Sequence, residues 1–298
     1  FGLAISWLDS SVAVSKKAIE LDGNSAEAYS ALAIGYYYGG KYDQSLQAHL
    51  KAVELNPNYV PALVNIGSTY VTEGRFDEAL RWLKKASLLA PTNPAHPENI
   101  GFIYKQLGSF VEAESWLRKS LELQPDYPEA NYSLATLYVL QGKDQQANEL
   151  MKKLLASNPD DPRVLDYAGS VADGTGNFSL AKEYYQRSIK ANPLLDTDPG
   201  AISGIGLGYI IMKQGKRNVR KAPYREARKM LNQALNLQQK QIGDGDESQF
   251  TRYLLAAIYA IEGNKTEANA WLQKAIDTGW RDYYFSQRDP WLENLRND

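Results

Sequence analysis

The residues that could do chemistry are few, and they lie far apart in the sequence. The chain of 298 residues contains two histidines, His49 and His96, and no cysteine. Disulfides, thiol catalysis and cysteine-ligated metal sites are therefore excluded. No HExxH, G-x-S-x-G or Walker A sequence is present. We predict that the chain is not an enzyme and has no catalytic residue, no metal site and no cofactor.

Two further motifs suggest ligand sites but lack a required residue. Residues 204–208 read Gly-Ile-Gly-Leu-Gly, yet Tyr209 takes the place of the third glycine of a dinucleotide-binding loop. We expect close helix packing there instead. The Asp pairs in 196–198 and 244–246 lack the glutamate at the twelfth position of an EF-hand loop. We expect turns or helix caps at both.

The helices that would position any functional site are predicted by a sequence repeat of 34 residues. Five prolines follow this period: Pro57, Pro91, Pro125, Pro159 and Pro193. Two rows of small residues follow it as well: Ala33, Gly67, Gly101, Ala135 and Gly169, and Ser45, Ala79, Ala113, Ala147 and Ala181. Glycines mark a break between two helical stripes in successive units: Gly74, Gly108, Gly142 and Gly176. A fixed period of this length predicts helix pairs that stack on their neighbours.

The residue types explain why each unit would form two packed helices. Two helices approach closely only where the facing side chains are small. Prolines also fall in the first turns of predicted helices, where no backbone hydrogen bond is lost: Pro61, Pro94, Pro128 and Pro162. His49 stands where later units have Leu83 and Leu117, so we expect it to be a buried packing residue. We expect His96, at a helix start, to be exposed.

Taken together, these positions resemble the tetratricopeptide repeat, whose 34-residue pattern reads W-x2-L-G-x2-Y, then A-x3-F, then P. The chain departs from the pattern in having no tryptophan at the first aromatic position, and Ala172 replaces one tyrosine. The resemblance implies an all-α fold, a right-handed superhelical solenoid of helix-turn-helix repeats with a C-terminal capping segment. It also implies a non-enzymatic scaffold that binds a protein or an extended peptide in its concave groove.

We predict one solenoid domain over residues 1–298. Its predicted units are 1–25 (partial), 26–59, 60–93, 94–127, 128–161, 162–195, 196–239 with an insertion, and 249–279, followed by a cap at 280–298. A terminal repeat exposes one apolar face, so an atypical cap is expected there. We expect a short capping helix from Asp289, with Asp289 as N-cap and Pro290 at its first position.

The resemblance also implies that the first helix of each repeat lines the groove and contacts the partner. Asn65 and Asn99 resemble the asparagine ladder with which O-linked N-acetylglucosamine transferase holds a peptide backbone. A carboxamide suits this role because it donates and accepts hydrogen bonds together, although surface polarity alone also accounts for two asparagines. Four aromatic residues on the same face are candidate anchors or covers of neighbouring repeats: Tyr37, Tyr38, Phe102 and Tyr132.

The insertion is the strongest charge feature of the sequence. Its basic residues include Lys216, Arg217, Arg220 and Lys221. They form either a solvated loop or a patch for an anionic partner, such as an acidic protein segment or a phosphate. The whole chain has a net charge of −2 and a pI of about 5.9, which argues against general nucleic-acid binding.

No apolar run in the sequence is long enough to span a bilayer, so we expect no membrane segment in this chain. Because the chain begins at Phe1, we expect it to be a fragment or a processed form. An alternative function is therefore a regulatory or substrate-recruiting arm of a larger enzyme or signalling protein. The sequence leaves the oligomeric state and the partner open. It also leaves the compartment open, with the cytoplasm favoured over the periplasm.

Overall fold

Pairs of antiparallel helices follow one another along the chain. The computed structural model describes residues 2–38, 41–191, 202–214, 222–243 and 249–296, and no strand occurs in these ranges. The α-helices are α1 Gly2–Leu21, α2 Ala26–Tyr38, α3 Tyr42–Leu55, α4 Val60–Thr72, α5 Phe76–Leu89, α6 Ala95–Gln106, α7 Phe110–Leu123, α8 Pro128–Leu140, α9 Asp144–Ser157, α10 Pro162–Gly174, α11 Phe178–Ala191, α12 Ile202–Gln214, α13 Ala222–Gly243, α14 Gln249–Glu262, α15 Lys265–Asp277 and α16 Tyr283–Arg288. A 3-10 helix, Pro290–Leu295, follows α16.

The glycines that the sequence places between the two helices of a pair form the turns. Gly74, Gly108, Gly142 and Gly176 all have φ between 70° and 75°, a left-handed conformation that glycine adopts without steric cost. After α4, Gly74 N–H bonds Val71 O at 3.0 Å and Arg75 N–H bonds Tyr70 O at 2.8 Å. These bonds satisfy carbonyls at the helix end, so the predicted breaks are confirmed.

The prolines lie at helix boundaries. Pro57, Pro91, Pro125 and Pro159 each lie two residues beyond the last residue of a second helix. Pro61, Pro128 and Pro162 occupy first-turn positions, as predicted. Pro94 is instead the N-cap of α6, one residue before its first turn. Pro193 lies outside the described residues.

Glycine allows the two helices of a pair to touch. A Cβ atom on Gly67 would lie 2.6 Å from Leu83 Cγ, and one on Gly101 would lie 2.7 Å from Leu117 Cγ. At Gly169 the corresponding atom would lie 2.5 Å from the Tyr185 ring. Each large residue of the second helix therefore fills the space left by a glycine of the first helix, which confirms the predicted close approach.

The first helices form an inner layer. Each helix from α1 to α14 packs against the next along the chain, and α8 also contacts α6 and α10, while α10 also contacts α12. These first helices therefore contact the first helices of neighbouring repeats, which places them on the concave side of the array. The chain is a helical repeat solenoid, as the repeat pattern predicted.

The residues after α15, 280–296, form what we call the tail segment. Trp291 and Leu292 are buried in the same hydrophobic cluster as Tyr253 and Ile258 of α14. The Asp289 carboxylate accepts a hydrogen bond from Trp291 N–H at 2.9 Å, so the predicted N-cap is confirmed. The helix that it caps is a 3-10 helix.

Within the described ranges, no helix combines the length and the apolar character that crossing a lipid bilayer requires.

Candidate functional site

A cleft lies on the concave face of the N-terminal helix pairs, and it contains two of the predicted contact residues. Its volume is about 390 Å³, and Tyr37 and Asn65 both line it. The other lining residues are Ile34, Ser45, His49, Ser68, Thr69 and Thr72. Tyr37 is 46% exposed, and its ring meets that of Tyr42 edge-on with 5.4 Å between ring centroids. We call this space the N-terminal cleft.

The second wall of the cleft comes from the far end of the chain. An adjoining cavity of about 450 Å³ shares Tyr37, Thr69 and Thr72, and it is closed by Gln249, Arg252 and Thr278 of the last helix pair. The end of α15 lies against the end of α4, since a Cβ atom on Gly279 would contact the backbone oxygen of Thr72. No periodic pattern in the sequence indicates this second wall.

His49 belongs to the cleft but carries no charge there. It is buried, as predicted, and its Nδ1 lies 3.4 Å from Ser30 Oγ. Burial lowers the pKa of His49 to about 4, so the imidazole is neutral at pH 7. The cleft therefore offers hydroxyl, carboxamide and aromatic groups, and the adjoining cavity adds the charged residues Glu73 and Arg252. Such groups suit hydrogen bonding to a peptide backbone and contact with an apolar side chain.

Three predicted contact residues lie further along the concave face and do not line the cleft. Asn99 and Phe102 of α6 are half-buried. Tyr132 of α8 stacks on Tyr167 at 4.2 Å between centroids, and its hydroxyl lies 3.3 Å from Ser170 Oγ. Tyr132 therefore packs against the neighbouring first helix, α10. The side chain of Tyr38 and the basic residues at 216–221 lie outside the described residues.

His96 is buried, which corrects the expectation that it would be exposed. It lies in the first turn of α6 with Pro97 and Glu98, and all three are buried. Neither ring nitrogen has a hydrogen-bond partner among the described residues, and burial lowers the pKa of the imidazole. The reason is tertiary, because neighbouring helices cover this turn.

The tail segment crosses the middle of the concave face. Arg288 Nη1 donates to the backbone oxygen of Val139 at 3.0 Å, and Trp291 Nε1 donates to Asp173 Oδ2 at 3.0 Å. Both acceptors belong to first helices, α8 and α10. The chain's own C-terminal end therefore occupies the central groove and leaves the N-terminal cleft open.

Buried charges lie beneath the tail segment. Lys105 of α6 is only 5% exposed, and its Nζ donates to Thr136 Oγ1 at 3.1 Å. Burial lowers the pKa of Lys105, while the carboxylates of Asp282 and Glu98 raise it. Glu98 accepts a hydrogen bond from Ser133 Oγ at 2.7 Å. The sequence analysis missed this group, since no charge pattern distinguishes Lys105 from a surface lysine.

Three aspartates are also buried, two on α10 and one in the tail segment. Burial raises the pKa of Asp166, Asp173 and Asp289 to about 7 each. Asp289 adds to the shift at Asp173 because the two carboxylates repel one another. Hydrogen bonds offset part of the cost of burying these carboxylates. The donor to Asp166 is the hydroxyl of Ser203, and the donor to Asp289 is the hydroxyl of Tyr253.

Comparison with known proteins supports the repeat assignment. Sequence models described as tetratricopeptide repeat match residues 60–93, 105–166 and 168–193. A comparison with curated protein sequences finds no match.

Solved structures show the same fold. Yeast Tom70 is similar with a TM-score of 0.60 at 17% identity, over 91% of this chain and 55% of that one. A structure of the APC/C hetero-tetramer Cut9–Hcn1 has a TM-score of 0.60 at 14% identity, over 90% of this chain and 46% of that one. PilW, a type IV pilus biogenesis factor, has a TM-score of 0.55 at 19% identity, over 72% of this chain and 98% of that one. At these identities the likeness shows the fold alone. The repeat-model matches, which agree with the helix pairs and the turn glycines of the structure, identify the chain as a tetratricopeptide-repeat protein.

Proposed function

We propose that the protein is a non-enzymatic scaffold that binds an extended peptide or protein segment in its concave groove, with the N-terminal cleft as the entry site. Tetratricopeptide-repeat proteins bind proteins or peptides on surfaces of this kind. The observation that supports the proposal most directly is the joint position of Tyr37 and Asn65 in one open cleft.

The chemistry of the cleft fits a backbone reader with one aromatic anchor. Asn65 presents a carboxamide that donates and accepts hydrogen bonds, so it matches a peptide group whatever the side chain. Tyr37 offers an exposed ring beside it, of the type that forms binding hot spots. We propose that Asn99, Phe102, Tyr132 and Tyr38 extend this contact along the same face.

The experiment is a pull-down from the source cell extract, read by mass spectrometry. It compares the wild type with Asn65→Ala/Asn99→Ala and with Tyr37→Ala. Asn58→Ala and Leu88→Ala serve as matched controls, since both residues are exposed and neither lines the cleft. We expect the groove variants to lose a partner that the controls retain, with unchanged thermal midpoints.

A partner retained by every groove variant would contradict the proposal. Loss of the partner in the controls as well would show that the stability of the protein, and not contact in the cleft, determines whether the partner binds.

The basic insertion is tested in the same experiment. We propose that the groove selects the partner and that the insertion is a solvated loop. A variant with Lys216, Arg217, Arg220 and Lys221 replaced by glutamine should therefore keep the partner. Loss in this variant alone, with strong dependence on salt, would instead identify an electrostatic site for an anionic partner.

A further inference from the structure

We propose that the cavity next to the N-terminal cleft binds an arginine side chain of the peptide partner, and that this guanidinium joins the two ends of the array. We call this space of about 450 Å³ the junction cavity. Its walls come from α2, α3 and α4 on one side and from α14 and the end of α15 on the other. The proposal rests on the peptide-binding function above, and it adds the identity of one partner side chain.

The three threonines of the junction cavity present hydrogen-bond acceptors to a ligand. The hydroxyl of Thr69 donates to the carbonyl of Asn65 at 3.0 Å. The hydroxyl of Thr72 donates to the carbonyl of Thr69 at 2.8 Å, and that of Thr278 donates to the carbonyl of Lys274 at 2.8 Å. Each hydroxyl has a single proton, so only its oxygen lone pairs are left for a ligand. A group that binds here must therefore donate hydrogen bonds.

Two helix ends and a carboxylate make the electrostatic potential of the cavity more negative. α4 ends at Thr72 and α15 ends at Asp277, and the C-terminal end of a helix carries the negative pole of its dipole. Glu73 lines the cavity with its carboxylate. Gln249 Oε1 lies close to Gly279 and has no hydrogen-bond donor among the described residues. Together these groups favour a cationic ligand.

A guanidinium fits these walls better than an ammonium group. It is planar, has five N–H donors and no acceptor, and lies flat on aromatic rings. Tyr37, which is 46% exposed, lines the cavity together with Tyr42. An arginine of the chain shows the same pattern nearby, because Arg75 lies over the Tyr70 ring at 4.3 Å and pairs with Glu73 at 3.1 Å.

Arg252 opposes the binding of a cation but does not prevent it. It is the one cationic side chain among the described residues that line the junction cavity, and it already interacts with another residue of the chain. The Glu73 carboxylate balances its charge, which leaves the threonine oxygens and the helix ends to decide the preference. Arg281 shows that the end of α15 accepts a guanidinium, since its Nη1 donates to the carbonyl of Ile276 at 2.6 Å.

The acceptors come from both ends of the array. Thr69 and Thr72 belong to α4, whereas Thr278 follows α15. The close approach of Gly279 to the Thr72 backbone oxygen brings the two sides together. A guanidinium that contacts both sides binds the closed arrangement better than an open one, so it stabilises the closed arrangement.

The experiment titrates the full chain with a set of blocked pentapeptides. The probe is acetyl-Ala-Ala-Arg-Ala-Ala-amide. The matched probe has citrulline in place of arginine, which keeps the shape of the side chain but is uncharged. Two further probes have lysine or glutamate at the same place. Binding is followed by the amide chemical shifts of the isotope-labelled protein.

We expect the arginine probe to bind the wild type about fivefold more tightly than the citrulline probe, as a partly exposed charged contact implies. Glu73→Gln should reduce this preference to about twofold, because it removes one charged acceptor. Glu183→Gln is the matched control, since the Glu183 carboxylate also pairs with an arginine at the surface. Arg252→Gln should increase the affinity for the arginine probe.

The closed arrangement is tested with the same probe. Gly279→Ala should weaken the binding of the arginine probe, because it separates Thr278 from Thr72. Gly263→Ala should leave it unchanged, since no atom lies within 4 Å of the position that a methyl group would take there. Unchanged binding to Gly279→Ala would overturn the contact of the guanidinium with both ends.

Equal binding of the arginine and citrulline probes to the wild type would overturn the proposal. Tighter binding of the glutamate probe would overturn it as well, since Arg252 would then determine the preference. A preference for arginine that Glu73→Gln leaves intact would place the site outside the junction cavity. The comparison of probes needs only the wild type, so it decides the matter even where a variant does not fold.

The two proposals fail separately. A partner lost on Asn65→Ala/Asn99→Ala in the pull-down, with equal binding of the arginine and citrulline probes, overturns the arginine site and leaves the scaffold function standing. A preference for the arginine probe, with a partner that is indifferent to the cleft variants, supports the arginine site and overturns the assignment of the cleft.

Discussion

Trp291 donates its indole N–H to the carboxylate of Asp173 at 3.0 Å, although 118 positions of sequence separate the two residues. The bond joins the C-terminal 3-10 helix to α10 across the concave face. Both residues are buried, so neither group has water as an alternative partner. This contact, with that of Arg288 to Val139, holds the tail segment in the groove.

Removing the indole donor should therefore destabilise the fold. Trp291→Phe keeps an aromatic ring but leaves Asp173 without this hydrogen bond, and an unsatisfied buried acceptor costs about 1–3 kcal/mol. The free energy of unfolding is measured by urea titration followed by circular dichroism. Trp271→Phe is the matched control, since Trp271 is only half-buried on α15 and should change stability little. Equal losses in the two variants would contradict the role of this bond.

The buried aspartates should make the protein less stable as pH rises. The pKa values of Asp166, Asp173 and Asp289 are raised to about 7 in the folded state, against about 4 in an unfolded chain. The folded state therefore binds more protons between pH 4 and pH 7, and its stability falls across this range. The expected slope is at most about 1.4 kcal/mol per pH unit for each group.

Urea midpoints at pH 5, 6, 7 and 8 test this pH dependence. The groups that act on Asp173 include the carboxylates of Asp289 and Glu293, the Lys213 ammonium and the Trp291 indole. Asp173→Asn should flatten the profile because it removes one titrating group and the repulsion of Asp289. Stability that rises over this range would show that these carboxylates are ionised in the folded state.

The contact between Gly101 and Leu117 should not tolerate a methyl group. In Gly101→Ala the new Cβ would lie 2.7 Å from Leu117 Cγ, and overpacking of this kind costs about 1–3 kcal/mol. A double-mutant cycle with Leu117→Ala measures the coupling. We expect the double variant to be more stable than the sum of the single losses predicts, by about 0.5–3 kcal/mol. Simple additivity would contradict the direct contact.

Gly279 should control the distance between the two ends of the array. Its φ is 110°, and a side chain there would press on the Thr72 backbone oxygen. Gly279→Ala should therefore separate α15 from α4, widen the N-terminal cleft and increase the radius of gyration in small-angle scattering. Gly263→Ala is the matched control, because Gly263 has φ of 81° but no atom within 4 Å of the position that a methyl group would take. An unchanged radius in Gly279→Ala would contradict the contact.

Much of the fold could be predicted from the sequence because its determinants are local. Gly74 turns the chain between two helices that it adjoins, and Gly67 meets Leu83 within one helix pair. Such contacts recur at each period, so they leave a visible pattern. The burial of His49 followed from the same period, since it stands in register with Leu83.

The position of the tail segment could not be predicted in this way. It depends on the superhelical path, which is the sum of the small rotations between successive repeats. No residue pattern in the sequence indicates the size of these rotations. The burial of His96 and Lys105, and the second wall of the cleft at Arg252, depend on the same path. The sequence therefore predicted Asn65 as a contact residue. It did not predict the residues of the last helix pair that lie opposite, such as Arg252.

The sequence by itself determined the helix pairs, their turns and their close approaches, because these need only residues near in the chain. The tertiary structure alone decided which part of the concave face is open. It did so by bringing Gly279 against Thr72 and Trp291 against Asp173, two contacts between residues that are far apart in sequence. Close backbone approach at the first contact and a buried hydrogen bond at the second, and not helix periodicity, set the shape of the groove.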